Sequence, residues 1–139
     1  MGFVRKGFLI LSAFALTNSA VAKERIGDFA LLDDQGKFHQ LSYYGDYQAV
    51  AVLVNGLSSQ ADEEQLSAFA DIAKTRSDDV VFWVLNPNPE TDRDAVRAAL
   101  DSQQIALPVL MDESQLVSKS LLARKFGEVF LLNPQTATL

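Results

Sequence analysis

The sequence predicts an α/β fold in which helices cover both faces of a largely parallel β-sheet. The first supporting observation is the run "AVAVLVN" (Ala49–Asn55), since a continuous apolar, β-branched run is typical of a strand buried on both faces. The second is the alternation of further apolar runs with segments in which apolar residues recur at helical spacing. The third is a pair of short apolar runs before Ala49, which indicates an N-terminal β-hairpin. Right-handed crossovers would arrange these elements as a three-layer sandwich.

The first 22 residues have the pattern of an export signal. Arg5 and Lys6 precede the apolar stretch "GFLILSAFALTNS", and Ala20-Val21-Ala22 provides the small residues that signal peptidase requires. A membrane anchor is the alternative, but the uncharged stretch Gly7–Ala22 is shorter than the ~20 apolar residues that a span needs. We therefore expect residues 1–22 to be a cleaved signal peptide, residues 23–139 to form one domain, and the protein to be periplasmic or otherwise extracytoplasmic, with no membrane span after cleavage.

Composition excludes several classes of function. A net charge of −6 argues against nucleic acid as a partner, because phosphate binding needs clustered lysine and arginine. The chain has no cysteine and one histidine, His39, which excludes thiolate chemistry and cysteine-based zinc sites. We expect no cofactor and no metal. With 48% hydrophobic residues, the chain has enough apolar surface for a packed core.

The hairpin is predicted over "FALLDDQGKFHQLSYY" (Phe29–Tyr44). Two apolar runs flank Asp33-Asp34-Gln35-Gly36, and the glycine can adopt the positive φ of a tight turn. The alternation of residues 38–41 predicts that His39 faces solvent.

The helices and later strands follow from capping residues and periodicity. Ser59 is predicted to cap a first helix, with Asp62 three residues later and an apolar face of Leu66, Phe69, Ala70 and Ala73. Asn88-Pro89 is predicted to open a second helix, whose apolar face is Ala95, Val96, Ala99 and Leu100. A capping box at Asp112–Gln115 is predicted to open a third, with Leu116, Val117, Ser120 and Leu121. The remaining predicted strands are Asp79–Asn86, Leu107–Met111 and Glu128–Asn133.

Four segments together resemble a known family. They are "IGDFALLDDQGKFHQLSYYGDYQAVAVLVNG", "VVFWVLNPNPETDR", "LPVLMDESQLVSKSL" and "EVFLLNPQT". In order and spacing they are similar to the redoxin branch of the thioredoxin-like superfamily, which includes alkyl hydroperoxide reductase and thiol-specific antioxidant proteins. The resemblance runs from about Ile26 to Thr136. It implies a thioredoxin-like three-layer sandwich, an extracytoplasmic location and, in active members, thiol chemistry.

The active site of that family does not carry over to this chain. The resemblance implies a cysteine where the helix after Ala49–Val54 begins, often with a second cysteine three residues later. Ser59 and Asp62 stand at these positions, or Ser58 and Ala61 if the alignment shifts by one. The cis-proline of many members is also missing, because Phe126-Gly127 precedes the last strand. The chain is therefore predicted to be a degenerate member with no catalytic residues.

Three other functions are open to residues in these segments. Ser59 could act as a nucleophile only with a general base in reach, and His39 is the single imidazole, so a capping role is preferred. Asp62, Glu63 and Glu64 could bind a divalent cation with Asp33 or Asp34, although acids in a first helical turn are also favoured by the helix dipole. The loop Asn86–Asp92 follows a predicted parallel strand, at the edge where α/β sheets bind ligands.

The resemblance also implies one more strand and a closing helix after Asn133. We therefore expect the domain to be truncated before that strand and helix, or else to have an edge that a partner completes or that makes the chain self-associate.

Two functions are predicted, and a third is weaker. The first is an exported, catalytically inactive thioredoxin-like domain that acts by protein contact, as an accessory module of an extracytoplasmic redox assembly. The alternative is a thiol-dependent antioxidant peroxidase or thiol-disulfide oxidoreductase, which the resemblance suggests and the missing cysteine opposes. The third is a small-molecule or metal binder at the strand ends near Ser59 and Asn88.

Overall fold

A β-hairpin opens the part of the chain that the computed structural model describes, residues 24–139. Strand β1 (Ala30–Leu32) pairs antiparallel with β2 (Phe38–Gln40), which confirms the predicted hairpin. Gly36 has a φ of 78°, as the turn requires. A short 3-10 helix, Leu41–Tyr44, follows β2. The predicted signal peptide, residues 1–22, lies outside the described residues.

A four-stranded sheet forms the middle layer. Its strands are β3 (Ala49–Val54), β4 (Val80–Asn86), β5 (Val109–Met111) and β6 (Val129–Leu132), in the order β5-β4-β3-β6. Strands β3, β4 and β5 are parallel, whereas β6 is antiparallel to β3.

Strand β6 is the antiparallel member of the largely parallel sheet that the sequence predicts. Parallel strands need a crossover that returns the chain to the opposite end of the sheet. The segment before β6 makes no such return, because the N–H of Gly127 already donates to the carbonyl of Val54, the last residue of β3, at 2.7 Å. The chain therefore enters β6 at the end where β3 finishes and runs in the opposite direction.

Three helices complete the layers: α1 (Gln60–Arg76), α2 (Arg93–Gln103) and α3 (Leu116–Ser120). Helices α1 and α2 cover one face of the sheet, where Leu66, Phe69 and Val96 pack against alternate strand residues such as Leu53 and Val84. The hairpin, the 3-10 helix and α3 cover the other face. The buried residues on that face are Leu41, Val50, Val52, Val54, Trp83, Leu85, Leu110, Val117, Leu121 and Leu132. This arrangement confirms the predicted α/β sandwich. No helix within residues 24–139 is long and apolar enough to cross a membrane.

Helix α2 starts later than predicted. Asn88 does not cap it; the Oδ1 atom of Asn88 instead accepts from the N–H of Glu90 at 3.1 Å and closes a turn. Asp92 is the cap, with its carboxylate accepting from the N–H of Ala95 at 2.9 Å. Val96 and Leu100 are buried as predicted, while Ala95 is exposed.

Helix α3 is capped by Asp112 as predicted, but Gln115 does not complete the predicted capping box. Gln115 precedes the helix with a φ of 60° and makes no side-chain cap. The fully buried carboxylate of Asp112 provides the cap, because it accepts from the N–H groups of Val117 at 3.2 Å and Ser118 at 2.8 Å. Leu116, predicted on the apolar face, is 67% exposed. With only five residues, α3 buries one side through Val117 and the following Leu121.

Candidate functional site

The start of α1 is where the resemblance implies a cysteine, and a reciprocal cap occupies it. The Oγ atom of Ser59 accepts from the N–H of Asp62 at 3.1 Å, while Oδ2 of Asp62 accepts from the N–H of Ser58 at 3.1 Å. The Asp62 side chain is buried, and the Asn55 amide donates to its backbone carbonyl at 3.0 Å. Ser59 and Asp62 thus satisfy amides that a helix leaves unpaired at its N-terminus.

The loop after β4 lies beside this cap. The Oγ1 atom of Thr91 donates to the carbonyl of Gly56 at 3.0 Å and accepts from the side-chain amide of Asn88 at 2.9 Å. The side-chain amide of Asn86 donates to the carbonyl of Thr91 at 3.1 Å. The structure therefore brings Asn88 close to the β3–α1 loop, as the order of the strands predicts. Its side-chain amide is used in holding the two loops together through Thr91.

Phe126 and Gly127 approach the same loop from the β6 side. A Cβ atom placed on Gly56 would lie 2.6 Å from Cε2 of Phe126, so the aromatic ring packs directly on the Gly56 backbone. Gly127 has a φ of 95°, and a Cβ there would lie 2.5 Å from Nε2 of Gln65. No peptide bond in residues 24–139 is cis. Where the resemblance implies a cis-proline, the chain therefore has an aromatic ring over the loop and a glycine against α1.

His39 is buried, which corrects the prediction that it faces solvent. It is 7% exposed, whereas its neighbour Phe38 is 53% exposed. Its Nε2 atom lies 2.8 Å from Oδ2 of Asp33, and its Nδ1 atom lies 2.8 Å from the Tyr44 hydroxyl. The alternation had the right period, but the hairpin packs its His39 side onto the sheet, where Asp33 and Tyr44 satisfy both ring nitrogens.

His39 does not serve Ser59 as a general base. Its ring packs against Trp83, with ring centroids 5.7 Å apart, on the face of the sheet that α1 does not cover. Both ring nitrogens already have partners in the hairpin. The arrangement around Ser59 is therefore a helix cap without an activated nucleophile.

The structure does not bring together the acidic residues that could have formed a cation site. Asp33 accepts from His39, and Oδ1 of Asp34 accepts from the N–H of Val109 at 3.0 Å, so both belong to the hairpin and its contact with β5. Asp62 belongs to the α1 cap. Within residues 24–139, no group of three histidine or acidic side chains has the geometry of a metal site.

Two features of these regions were not predicted. Thr91 joins two loops, but a lone threonine in a polar loop carries no signal in the sequence for that contact. The Asp33–His39–Tyr44 chain of hydrogen bonds was also missed. The contact between Asp33 and His39 could have been predicted from the hairpin. Leu31 pairs with His39 across the two strands, and Asp33, two residues after Leu31, is on the same face.

Solved structures share this architecture. No family model and no curated protein matches the sequence. A hypothetical protein from Sinorhizobium meliloti is 25% identical with a TM-score of 0.73, covering 86% of this chain and 68% of that one. A peroxidoxin from Mycobacterium tuberculosis is 16% identical with a TM-score of 0.68, covering 84% and 81%. An exposed lipoprotein thioredoxin from Streptococcus pneumoniae is 20% identical with a TM-score of 0.65, covering 81% and 86%. These similarities establish the fold and confirm the resemblance at that level.

Ser59 should behave as a helix cap when it is replaced. Ser59→Ala is expected to cost about 1 kcal/mol in the free energy of unfolding, because the N–H of Asp62 loses its acceptor. Ser59→Gly should cost only a few tenths of a kcal/mol, since glycine is itself tolerated at the cap and leaves the amide open to water. Urea denaturation of both variants measures this difference. Equal losses would assign Ser59 a role other than capping.

Proposed function

We propose that this chain, which has the thioredoxin-like fold and no cysteine, is an exported domain without catalytic activity that acts by protein contact. In this proposal it is an accessory module of an extracytoplasmic redox assembly. The observation that carries the proposal is the thioredoxin-like arrangement of the described sheet and helices in a sequence of 139 residues with no thiol. Ser59 and Asp62, where the resemblance implies cysteines, form a helix cap.

The missing thiol bears directly on the chemistry. Peroxide reduction and disulfide exchange both proceed through attack by a thiolate. A serine hydroxyl would need a base, and Ser59 has a backbone amide as its partner while His39 lies on the other face of the sheet. Binding another protein is a function that requires neither a thiolate nor a general base.

An apolar patch beside β6 is the surface that we assign to protein contact. Val129 and Leu131 are 52% and 62% exposed, and their partners in β3 point to the face that α1 covers. Ile72 of α1 is 56% exposed and lies two helical turns after Gln65, whose side chain touches Gly127 just before β6. The patch Ile72, Val129 and Leu131 therefore flanks a strand that pairs with β3 along one side. Apolar residues beside a strand edge fit an added strand or helix from another chain.

Export belongs to the proposal as well. Residues 1–22 have the three parts of a signal peptide, and residues 23–139 would be the exported domain. The similarity to an exposed lipoprotein thioredoxin supports this location. The net charge of −6 supports a protein partner over nucleic acid.

The protein should be inactive in thiol-dependent redox assays. We expect no turnover of hydrogen peroxide and no reduction of insulin disulfides with a dithiol reductant, because no residue can form the required thiolate. The two rates are measured against a buffer blank, with Ser59→Ala as the matched variant. A rate above the blank that disappears in Ser59→Ala would favour the alternative function, a thiol-dependent peroxidase or oxidoreductase, as the similarity to a peroxidoxin suggests.

The patch should make the isolated chain self-associate. In the absence of its partner, two copies can bury Val129 and Leu131 against each other, so size-exclusion chromatography with light scattering should give a mass above that of a monomer. Leu131→Lys should restore a monomer because it places a charge in that contact. Leu116→Lys, at a similarly exposed leucine on α3, is the control and should leave the mass unchanged. A wild-type monomer at all concentrations would contradict the assignment of this patch.

A further inference from the structure

A cavity of about 560 Å³ lies between the first half of β4, the C-terminal half of α1 and the connection from α2 to β5. Its volume is within the ~300–1,000 Å³ range of small-molecule sites. The wall residues that matter for recognition are His39, Tyr44, Tyr47, Phe82, Trp83 and Pro108. Neither Ser59 nor the β6 patch borders the cavity, so it is separate from the surface proposed for protein contact.

The cavity exists because the sheet is incomplete beside β4. Strand β5 pairs only with Val84–Asn86, so within residues 24–139 the segment 80–83 is paired on its β3 side alone. Gln104 ends α2 in the left-handed region with a φ of 55°, and the chain then passes alongside 80–83. It rejoins the sheet where Pro108 accepts from the N–H of Val84 at 3.1 Å. The space between this connection and β4 is held open by backbone geometry.

The hydrogen-bond chain behind the cavity fixes what Tyr44 can offer to a ligand. Burial opposes ionisation of Asp33, but hydrogen bonds from His39, Lys37 and Gln35 outweigh it and lower the pKa of Asp33, so this carboxylate is ionised at neutral pH. An ionised carboxylate only accepts, which requires His39 to donate from Nε2. In the neutral imidazole Nδ1 is then an acceptor, and the Tyr44 O–H donates to it at 2.8 Å.

With His39 neutral, Tyr44 offers the cavity an acceptor. Burial, together with the nearby Tyr47 and Asp33, raises the pKa of Tyr44, so its hydroxyl remains protonated at neutral pH. The Tyr44 O–H donates its proton to the hydrogen bond with Nδ1 of His39, so only the lone pairs of the hydroxyl oxygen are left for a ligand. A ligand at this position must supply an N–H or O–H donor.

The rest of the lining selects a neutral aromatic molecule. Tyr44 and Trp83 are perpendicular, with an interplanar angle of 87° and centroids 5.0 Å apart, and His39 meets Trp83 at 68°. Such edge-to-face walls suit a further planar ring. The charged groups on the lining, Asp71 and Lys74, lie 3.7 Å apart and offset each other. We propose that this cavity binds a neutral, planar aromatic molecule that donates a hydrogen bond to the Tyr44 hydroxyl oxygen.

A matched pair of probes tests both parts of the proposal. 2-Naphthol has an O–H donor, and 2-methoxynaphthalene has nearly the same shape without it. Calorimetric titration of the full chain should show that both bind and that 2-naphthol binds about fivefold more tightly, the usual net effect of one hydrogen bond. Trp83 is the only tryptophan, so a change in its fluorescence with 2-methoxynaphthalene would place the probe at this wall.

Two variants locate the site. Tyr44→Phe should abolish the preference for 2-naphthol while leaving the affinity for 2-methoxynaphthalene unchanged. Ala106→Trp, at an exposed position on the cavity wall, should weaken both probes at least tenfold, while Ala61→Trp, at an exposed position on the first turn of α1, should change neither. Failure of either probe to bind the wild-type chain would overturn the proposal. Equal affinity of the two probes, or weakening by Ala61→Trp as much as by Ala106→Trp, would also overturn it.

Discussion

Trp83→Ala is expected to lower the free energy of unfolding by about 3–5 kcal/mol, the usual cost of removing a large aromatic side chain from a core. Trp83 is 1% exposed and lies in the middle of β4. Its ring contacts Phe29, His39 and Tyr44, with centroid distances of 6.2, 5.7 and 5.0 Å. The substitution therefore removes a large part of the contact between the sheet and the segment Phe29–Tyr44, which contains the hairpin and the 3-10 helix. Denaturant unfolding followed by circular dichroism measures the loss, since the variant has no tryptophan to report it.

Phe82 provides the matched control on the same strand. Its ring points to the opposite face, where it packs against Phe69 with centroids 5.4 Å apart, and it is only partly buried. Phe82→Ala should cost roughly half as much as Trp83→Ala, because less apolar area leaves water when Phe82 folds. If the two losses were equal, the hairpin face would not be the more tightly packed of the two.

Asp33→Ala is expected to cost about 3 kcal/mol at neutral pH. The carboxylate accepts from Nε2 of His39 at 2.8 Å and from the N–H groups of Gln35 at 2.9 Å and Lys37 at 2.8 Å. Removing it leaves the buried imidazole without an acceptor, whereas the amides of the exposed residues Gln35 and Lys37 can bond to water. A hydrogen bond to a charged group contributes ~1.5–3 kcal/mol, so the expected loss is mainly that of the contact with His39. Asp34→Ala is the control, because Asp34 is equally buried but its hydrogen bond is a single one, to the N–H of Val109. Its loss should be clearly smaller in the same urea titration.

The contribution of Asp33 to the free energy of unfolding should decrease at acidic pH. Burial tends to raise its pKa, but the hydrogen bonds from His39, Lys37 and Gln35 hold the pKa below the ordinary value of 3.8. A carboxyl whose pKa is lower in the folded state stabilises the fold above its unfolded pKa. This contribution disappears as the pH falls from about 3.8 through the folded-state pKa. The difference in stability between the wild type and Asp33→Ala should therefore narrow below pH 4, and a difference that widened there would contradict this account.

Sequence patterns determined the elements that depend on local chemistry. The β-branched run at Ala49–Val54 forms a fully paired central strand, because such residues fit a surface that is covered on both sides. Ser59 begins α1 as predicted, since a side-chain acceptor at that point satisfies a backbone amide whatever the rest of the fold does. The absence of a thiol is likewise a property of the sequence alone.

Contacts between elements determined the features of the fold that local sequence patterns did not predict. The period of β2 predicted that one side is buried, but only docking on the sheet determined that His39 rather than Phe38 is on that side. Asp92 caps α2 in place of the predicted Asn88, because the Asn88 side chain is used in a turn and in a contact with Thr91. Asp112 caps α3 as predicted, but it does so without Gln115. Strand β6 runs antiparallel because the chain reaches it beside the end of β3, which no local pattern encodes. The cavity beside β4 follows from the short length of β5, which depends on the path of the whole α2–β5 connection, so a sequence window of a few residues carries no information about it.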